Sequence, residues 1–150
     1  MPTFDELWAT FKEEVGPQLV SEMSAQSPVG EPPNDPAPGT LRDSHSYRDG
    51  DQERLEIIST DARGPIAKFV IRGTSGPYPI VPVRAEFLHF WGGDGSEVFT
   101  KHVMHPGISP NPFNQVAWEN QRDDVVQQFK VTVGKGLALA YLNPWRNRKL

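Results

Sequence analysis

Proline placement limits what this chain can fold into more than any other feature. Five of its 15 prolines and two of its 13 glycines fall in QSPVGEPPNDPAPGT at 26–40. Such a stretch lacks the N–H groups and the φ range needed for a helix interior or a central strand. It reads as a flexible, solvated linker between a helix before it and a sheet after it, the alternative being a docking arm. Prolines recur between Ser75 and Val83, predicting an irregular loop, and across HPGISPNP at 105–112, predicting a turn. Regular structure must lie in the pieces between.

Residues 3–24 make the first such piece. Phe4, Leu7, Trp8, Phe11, Val15 and Leu19 recur at helical spacing and form one apolar stripe, with Asp5, Glu13 and Glu14 opposite. Thr3 followed by Glu6 has the form of a capping box. The Gly16-Pro17 pair predicts a bend or an early end. A second long helix is predicted from Phe113 toward Tyr141. Its apolar side is Phe113, Val116, Ala117, Val125, Phe129, Val133, Leu137, Ala140 and Tyr141, interrupted by Asn120 and Asp124. Gly134 and Gly136 would each cost about 1 kcal/mol in a helix interior. They predict close packing against another backbone, or a break near 134.

The β signals lie between the helices. GTLRDSHSYRDGD, from 39, reads as a short helical turn or a strand start, and RLEIISTD at 54–61 as a strand. GPIAKFVIRGT at 64–74 is too short for periodicity to decide between helix and strand. EFLHFW and SEVFTKHV, separated by Gly-Gly-Asp-Gly, predict a hairpin over 86–103. On its first strand Phe87, His89 and Trp91 share one face, Leu88 and Phe90 the other. Both faces are greasy. A two-stranded ribbon in a small domain cannot bury both unless something covers each side, which points to a subunit interface. The fold class expected is α+β: a small antiparallel sheet with a projecting β-hairpin, packed by N-terminal and C-terminal helices, in one domain over 1–150.

Composition narrows the function. With 19 acidic against 15 basic residues the formal net charge is −4, which argues against a dedicated nucleic-acid binder. The absence of cysteine excludes disulfides and thiolate metal sites. No apolar run of about 18 residues is present, and MPTFDELWATFKEEV lacks the basic start and apolar middle of a signal peptide. His45, His89, His102 and His105 lack the spacing of a zinc site, and on a strand His102 and His105 would point to opposite faces. No G-x-S-x-G elbow is present, GGDG lacks the lysine of a phosphate-binding loop, and Glu119, Asp123 and Asp124 read as a solvated helix surface. The basic tail at 143–150, with Trp145 beside Arg146 to Lys149, reads as a solvated terminus. No catalytic, metal or cofactor site is expected.

Several elements recur in a recognisable order. IAKFVIRGT ends in Gly73-Thr74; Ile80-Val81-Pro82 follows; then EFLHF; then GGDGSEVFTKHVMHPGISPNPF, with Val103-Met104-His105-Pro106-Gly107 and Pro112-Phe113 opening a helix. Upstream, GTLRDS at 39–44 matches a leucine-arginine-aspartate-serine element after the first helix. Over residues 39–142 this pattern resembles the neck or tail-completion proteins of long-tailed bacteriophages, which join head to tail. The insert at 28–38 is longer than that pattern leads one to expect, and the tail after Asn143 matches nothing distinctive in it.

The resemblance implies a non-enzymatic virion protein that forms a ring, sixfold, at the head–tail junction. It would be assembled in the host cytoplasm and would contact head connector or stopper proteins and the tail terminator or tail tube protein. DNA would pass through its channel without specific binding, and no membrane is involved. The alternative within the same architecture is a tail terminator ring; a small metal-dependent hydrolase using His89, His102 and His105, and a DNA-contacting protein using the basic tail, are the readings from other classes. The candidate subunit or partner interface is Phe87, Leu88, Phe90, Trp91, Val98 and Phe99 of the hairpin, His105, Pro106 and Gly107 of the turn, and Phe113.

Overall fold

The computed structural model describes residues 2–30, 38–50, 53–60 and 63–138. The fold is α+β, and its described strands form three two-stranded ribbons. The chain divides into two compact units. Residues 31–37 of the linker expected at 26–40, the part of the second long helix expected beyond residue 138 and the basic tail lie outside the described residues.

The first unit is built from helix α1 (Phe4–Gln26), the ribbon of β1 (His45–Gly50) with β2 (Arg54–Ser59), and helix α3 (Phe113–Phe129). The capping box closes α1 as the sequence predicts: the Thr3 N–H donates to Glu6 Oε2 at 2.7 Å and the Glu6 N–H to Thr3 Oγ1 at 3.3 Å. Pro17 does not end this helix, contrary to one of the two outcomes expected of it, and α1 runs to Gln26. Burial of the two residues before it anchors the helix there. Val15 is 1 % exposed, and Gly16 lies against the Tyr47 ring of β1, where a Cβ would come within 2.6 Å of Cδ2. A glycine is required there to admit the ring.

Phe11, Val15 and Val133 form the core of this unit, flanked by Leu7, Trp8, Leu19, Leu55, Val125 and Leu137. Phe129 meets Phe11 edge-to-face at 5.4 Å between centroids and Trp8 at 6.3 Å. Such pairs contribute about 0.5–1.5 kcal/mol beyond area burial. A polar ladder runs beside the apolar seam. Glu14 Oε2 accepts from Gln128 Nε2 at 2.6 Å and from Thr132 Oγ1 at 2.8 Å; Gln18 pairs with Gln121, and Glu22 accepts from Asn120 at 2.7 Å. Partner numbers fall along α3 as they rise along α1, so the helices are antiparallel. The Asn120 amide, then that of Gln26, holds the Glu22 carboxyl below its usual range. The expected disturbance near Gly134 is a π-helical turn over Lys130–Gly134, and Gly136 abuts Leu7.

The second unit holds a 3₁₀ turn (Arg42–Ser44), helix α2 (Arg63–Arg72), and strands β3 (Tyr78–Ile80), β4 (Leu88–Trp91), β5 (Glu97–Thr100) and β6 (Val103–His105). The segment that periodicity left open is helical. Its proline falls in the first turn, where no intrahelical N–H bond is forfeited, and the helix ends at Gly73 with φ +68°. Two expectations need correction. The proline-rich stretch 75–83 is not irregular throughout: β3 pairs antiparallel with β6, Tyr78 opposite His105 and Ile80 opposite Val103. The hairpin also stops at Thr100, short of Val103. Thr100 Oγ1 donates to the His102 carbonyl at 2.7 Å and turns the chain, so Val103 leaves β5 and enters β6.

Candidate functional site

The candidate residues fall mainly on two neighbouring ribbons of the second unit, β4–β5 and β3–β6. In β4–β5, His89 faces Phe99 and Phe90 faces Val98, while a tight turn closes the end. Asp94 Oδ1 accepts from the Ser96 hydroxyl at 2.7 Å and the Ser96 N–H at 3.1 Å, and those bonds hold its carboxyl below the ordinary aspartate range. Alternation then sorts the ribbon into two faces.

One face is open. Phe99 is 63 % exposed, and the His89 imidazole lies flat on its ring with centroids 4.5 Å apart and planes 7° from parallel. Trp91, half-buried, sits tilted beside His89, whose Nε2 is 3.9 Å from Glu97. Phe87 precedes the strand, exposed, with the Lys101 ammonium 5.6 Å above its ring. The other face turns toward β3–β6. Leu88 and Phe90 line an apolar groove of about 380 Å³ with Ile80, Val103, His105 and Pro106. Cross-strand pairing of Ile80 with Val103 thus brings together residues that lie 23 positions apart in the chain.

The His-Pro-Gly turn sits at the end of that groove. His105 stacks on Tyr78 at 5.0 Å, and its Nδ1 accepts the Gly107 N–H at 3.0 Å. Gly107 adopts φ +94°, a conformation other residues rarely reach, and its Cα lies against the Thr74 carbonyl and Gly76. Beyond it Ile108 and Thr74 exchange backbone hydrogen bonds of 2.9 and 3.3 Å, and the Asn111 N–H donates to the Val70 carbonyl at 2.9 Å. The turn is therefore stitched to the last turn of α2 and to the segment that follows it.

Of the ten candidates, Leu88, Phe90, His105 and Pro106 converge on the groove, while Phe87 and Phe99 are exposed. Trp91 and Val98 are half-buried, and Gly107 acts through its backbone. Phe113 is corrected: it is 2 % exposed, an interior side chain with no surface to offer. Tyr78, Ile80 and Met104 were missed, because the prolines around Tyr78 hid a strand whose partner is distant. Among the described residues no group of three or more His, Cys, Asp or Glu side chains could hold a metal ion, and none of their helices is long and apolar enough to cross a membrane. Comparison with protein-family models, with curated proteins and with solved structures finds no match to this chain.

Proposed function

We propose that this chain is a non-enzymatic structural subunit of a long-tailed bacteriophage neck, a ring that joins the tail to the head connector and lets DNA pass. The sequence pattern over residues 39–142 motivates the family reading. The observation that carries association is Phe99, 63 % exposed on a ribbon whose opposite face lines an apolar groove. Exposed Phe87, Met104, Val81 and Val83 extend the apolar surface of this unit. Soluble proteins keep so much apolar area at the surface mainly where something is to cover it.

A closed ring uses heterologous contacts, one patch meeting a different patch on the neighbour. The exposed β4–β5 face and the groove are two such patches on one subunit. The edges of two-stranded ribbons also offer backbone groups to a neighbour. Assembly and sealing, with no bond made or broken, would be the mechanism.

Electron microscopy and sedimentation of the purified chain test this. Wild type should form rings with a central opening. A Phe87→Ser/Phe99→Ser variant should stay monomeric with an unchanged circular dichroism spectrum, since both side chains are already exposed. Tagged chain supplied to assembling tailed particles should localise at the head–tail junction. A monomeric wild type, or a double variant that still forms rings, defeats the interface; rings that never enter particles defeat the neck reading.

A further inference from the structure

We infer that His105 is a protonation-sensitive latch on the loop 106–111. The inference concerns a single subunit and does not rest on the ring reading. The latch is the 3.0 Å hydrogen bond in which Nδ1 accepts the Gly107 N–H. An imidazole nitrogen accepts only while it carries no proton; in the cation both nitrogens are donors. Protonation therefore sets one donor against another at this contact.

The surroundings leave little room to relieve that conflict. Gly107 is packed against the Thr74 carbonyl and the Gly76 backbone, so it cannot slide toward them. The imidazole is held on the other side by its stack on Tyr78, 5.0 Å away and 25° from parallel. Either the ring leaves Tyr78 or the loop lifts. The titratable groups near this corner are Tyr78 from β3 and, at the groove's border, His89 from β4, whose imidazole stacks on Phe99 on the open face and approaches Glu97 at 3.9 Å. Residues 106–112 and 73–77 contain no ionisable side chain, and no carboxylate is among the described residues lining the groove. Nothing there compensates a positive imidazole.

What remains on the loop is the Thr74 clasp and the Asn111–Val70 bond. Acidification should thus free Gly107 and its neighbours first while the ribbons stay paired. The surface this loop presents becomes pH-dependent through one side chain.

The test uses the full-length chain labelled with ¹⁵N. Imidazole nitrogen shifts of His105 and amide exchange at Gly107 are followed from pH 8 to pH 5. At the alkaline end Nδ1 should report an unprotonated acceptor. As His105 takes its proton, the protection of Gly107, its exchange rate set against the intrinsic amide rate at each pH, should fall about threefold to tenfold, the equivalent of one hydrogen bond, while the protection of Phe90 and Val98 holds. His105→Asn should keep Gly107 protected at every pH, because an asparagine carbonyl reaches the N–H two residues on and does not titrate. His105→Phe should preserve the stack and leave Gly107 unprotected throughout; if that variant fails to fold, the asparagine variant decides alone. Gly107 exchange indifferent to the His105 titration, or an asparagine variant that follows the wild-type pH profile, overturns the inference.

Discussion

A glycine is replaceable or not according to what stands where its Cβ would be. At Gly76 that place is taken by the Pro106 carbonyl, which is backbone and cannot rotate away. Gly76→Ala should cost about 2 kcal/mol or more, the range of overpacked interiors. Gly134 has nothing within 4 Å and helical geometry, so Gly134→Ala should gain about 0.5–1 kcal/mol. Urea midpoints of the two variants should move in opposite directions. His45 adds a pH dependence at the same scale. It is 9 % exposed, and burial holds its imidazole below the usual range. The folded chain prefers it neutral, so the unfolded chain takes the proton first as pH falls below about 6.5. Its contribution is present above that value and is lost as pH falls through the lower, folded one. The urea midpoint should decline between pH 7 and pH 5, and His45→Gln should flatten that decline.

At the scale of elements, the α1–α3 pair shows what local pattern can and cannot reveal. Phe11 and Val15 were legible as core because helical spacing puts them on one stripe, and both are buried. The polar ladder of Glu14, Gln18 and Glu22 was not, since each rung needs a partner about a hundred residues away. Trp8 was placed correctly on the stripe, yet its buried Nε1 has no hydrogen-bond partner among the described residues. An unsatisfied buried donor costs about 1–3 kcal/mol. Trp8→Phe should therefore destabilise by less than about 1 kcal/mol, the packing loss being offset by removal of that donor. Chemical denaturation followed by far-ultraviolet circular dichroism would show it. β3 stayed hidden for a different reason. Pro77, Pro79 and Pro82 read as breakers, while its pairing is set by β6, beyond any local window. The candidate surface was legible in its hairpin half, because alternation sorts Leu88 and Phe90 from His89 and Trp91. Phe113 was misplaced although the signal for it existed: it shares the apolar side of α3 with Ala117, and both are buried.

For the whole molecule, the sign of a salt effect separates the proposed ring from a nucleic-acid binder. Each copy carries a formal charge of −4, and a sixfold ring multiplies it in a small space. Exposed like charges repel over about 10 Å at 0.1 M salt and over much less as salt rises. The attraction proposed to close the ring comes from Phe87, Phe99 and the groove, which salt does not screen. Assembly should therefore strengthen as sodium chloride is raised from about 0.05 to 0.5 M. It should also strengthen on warming from the cold, because burial of apolar area weakens on cooling. Binding to DNA through a few basic residues behaves in the opposite way, since each phosphate contact loses its counterion gain as salt rises. Sedimentation velocity across that salt range, with and without duplex DNA, reads both trends at once. Rings that dissolve as salt increases would place the driving force in ion pairs and remove the apolar ribbon from the interface.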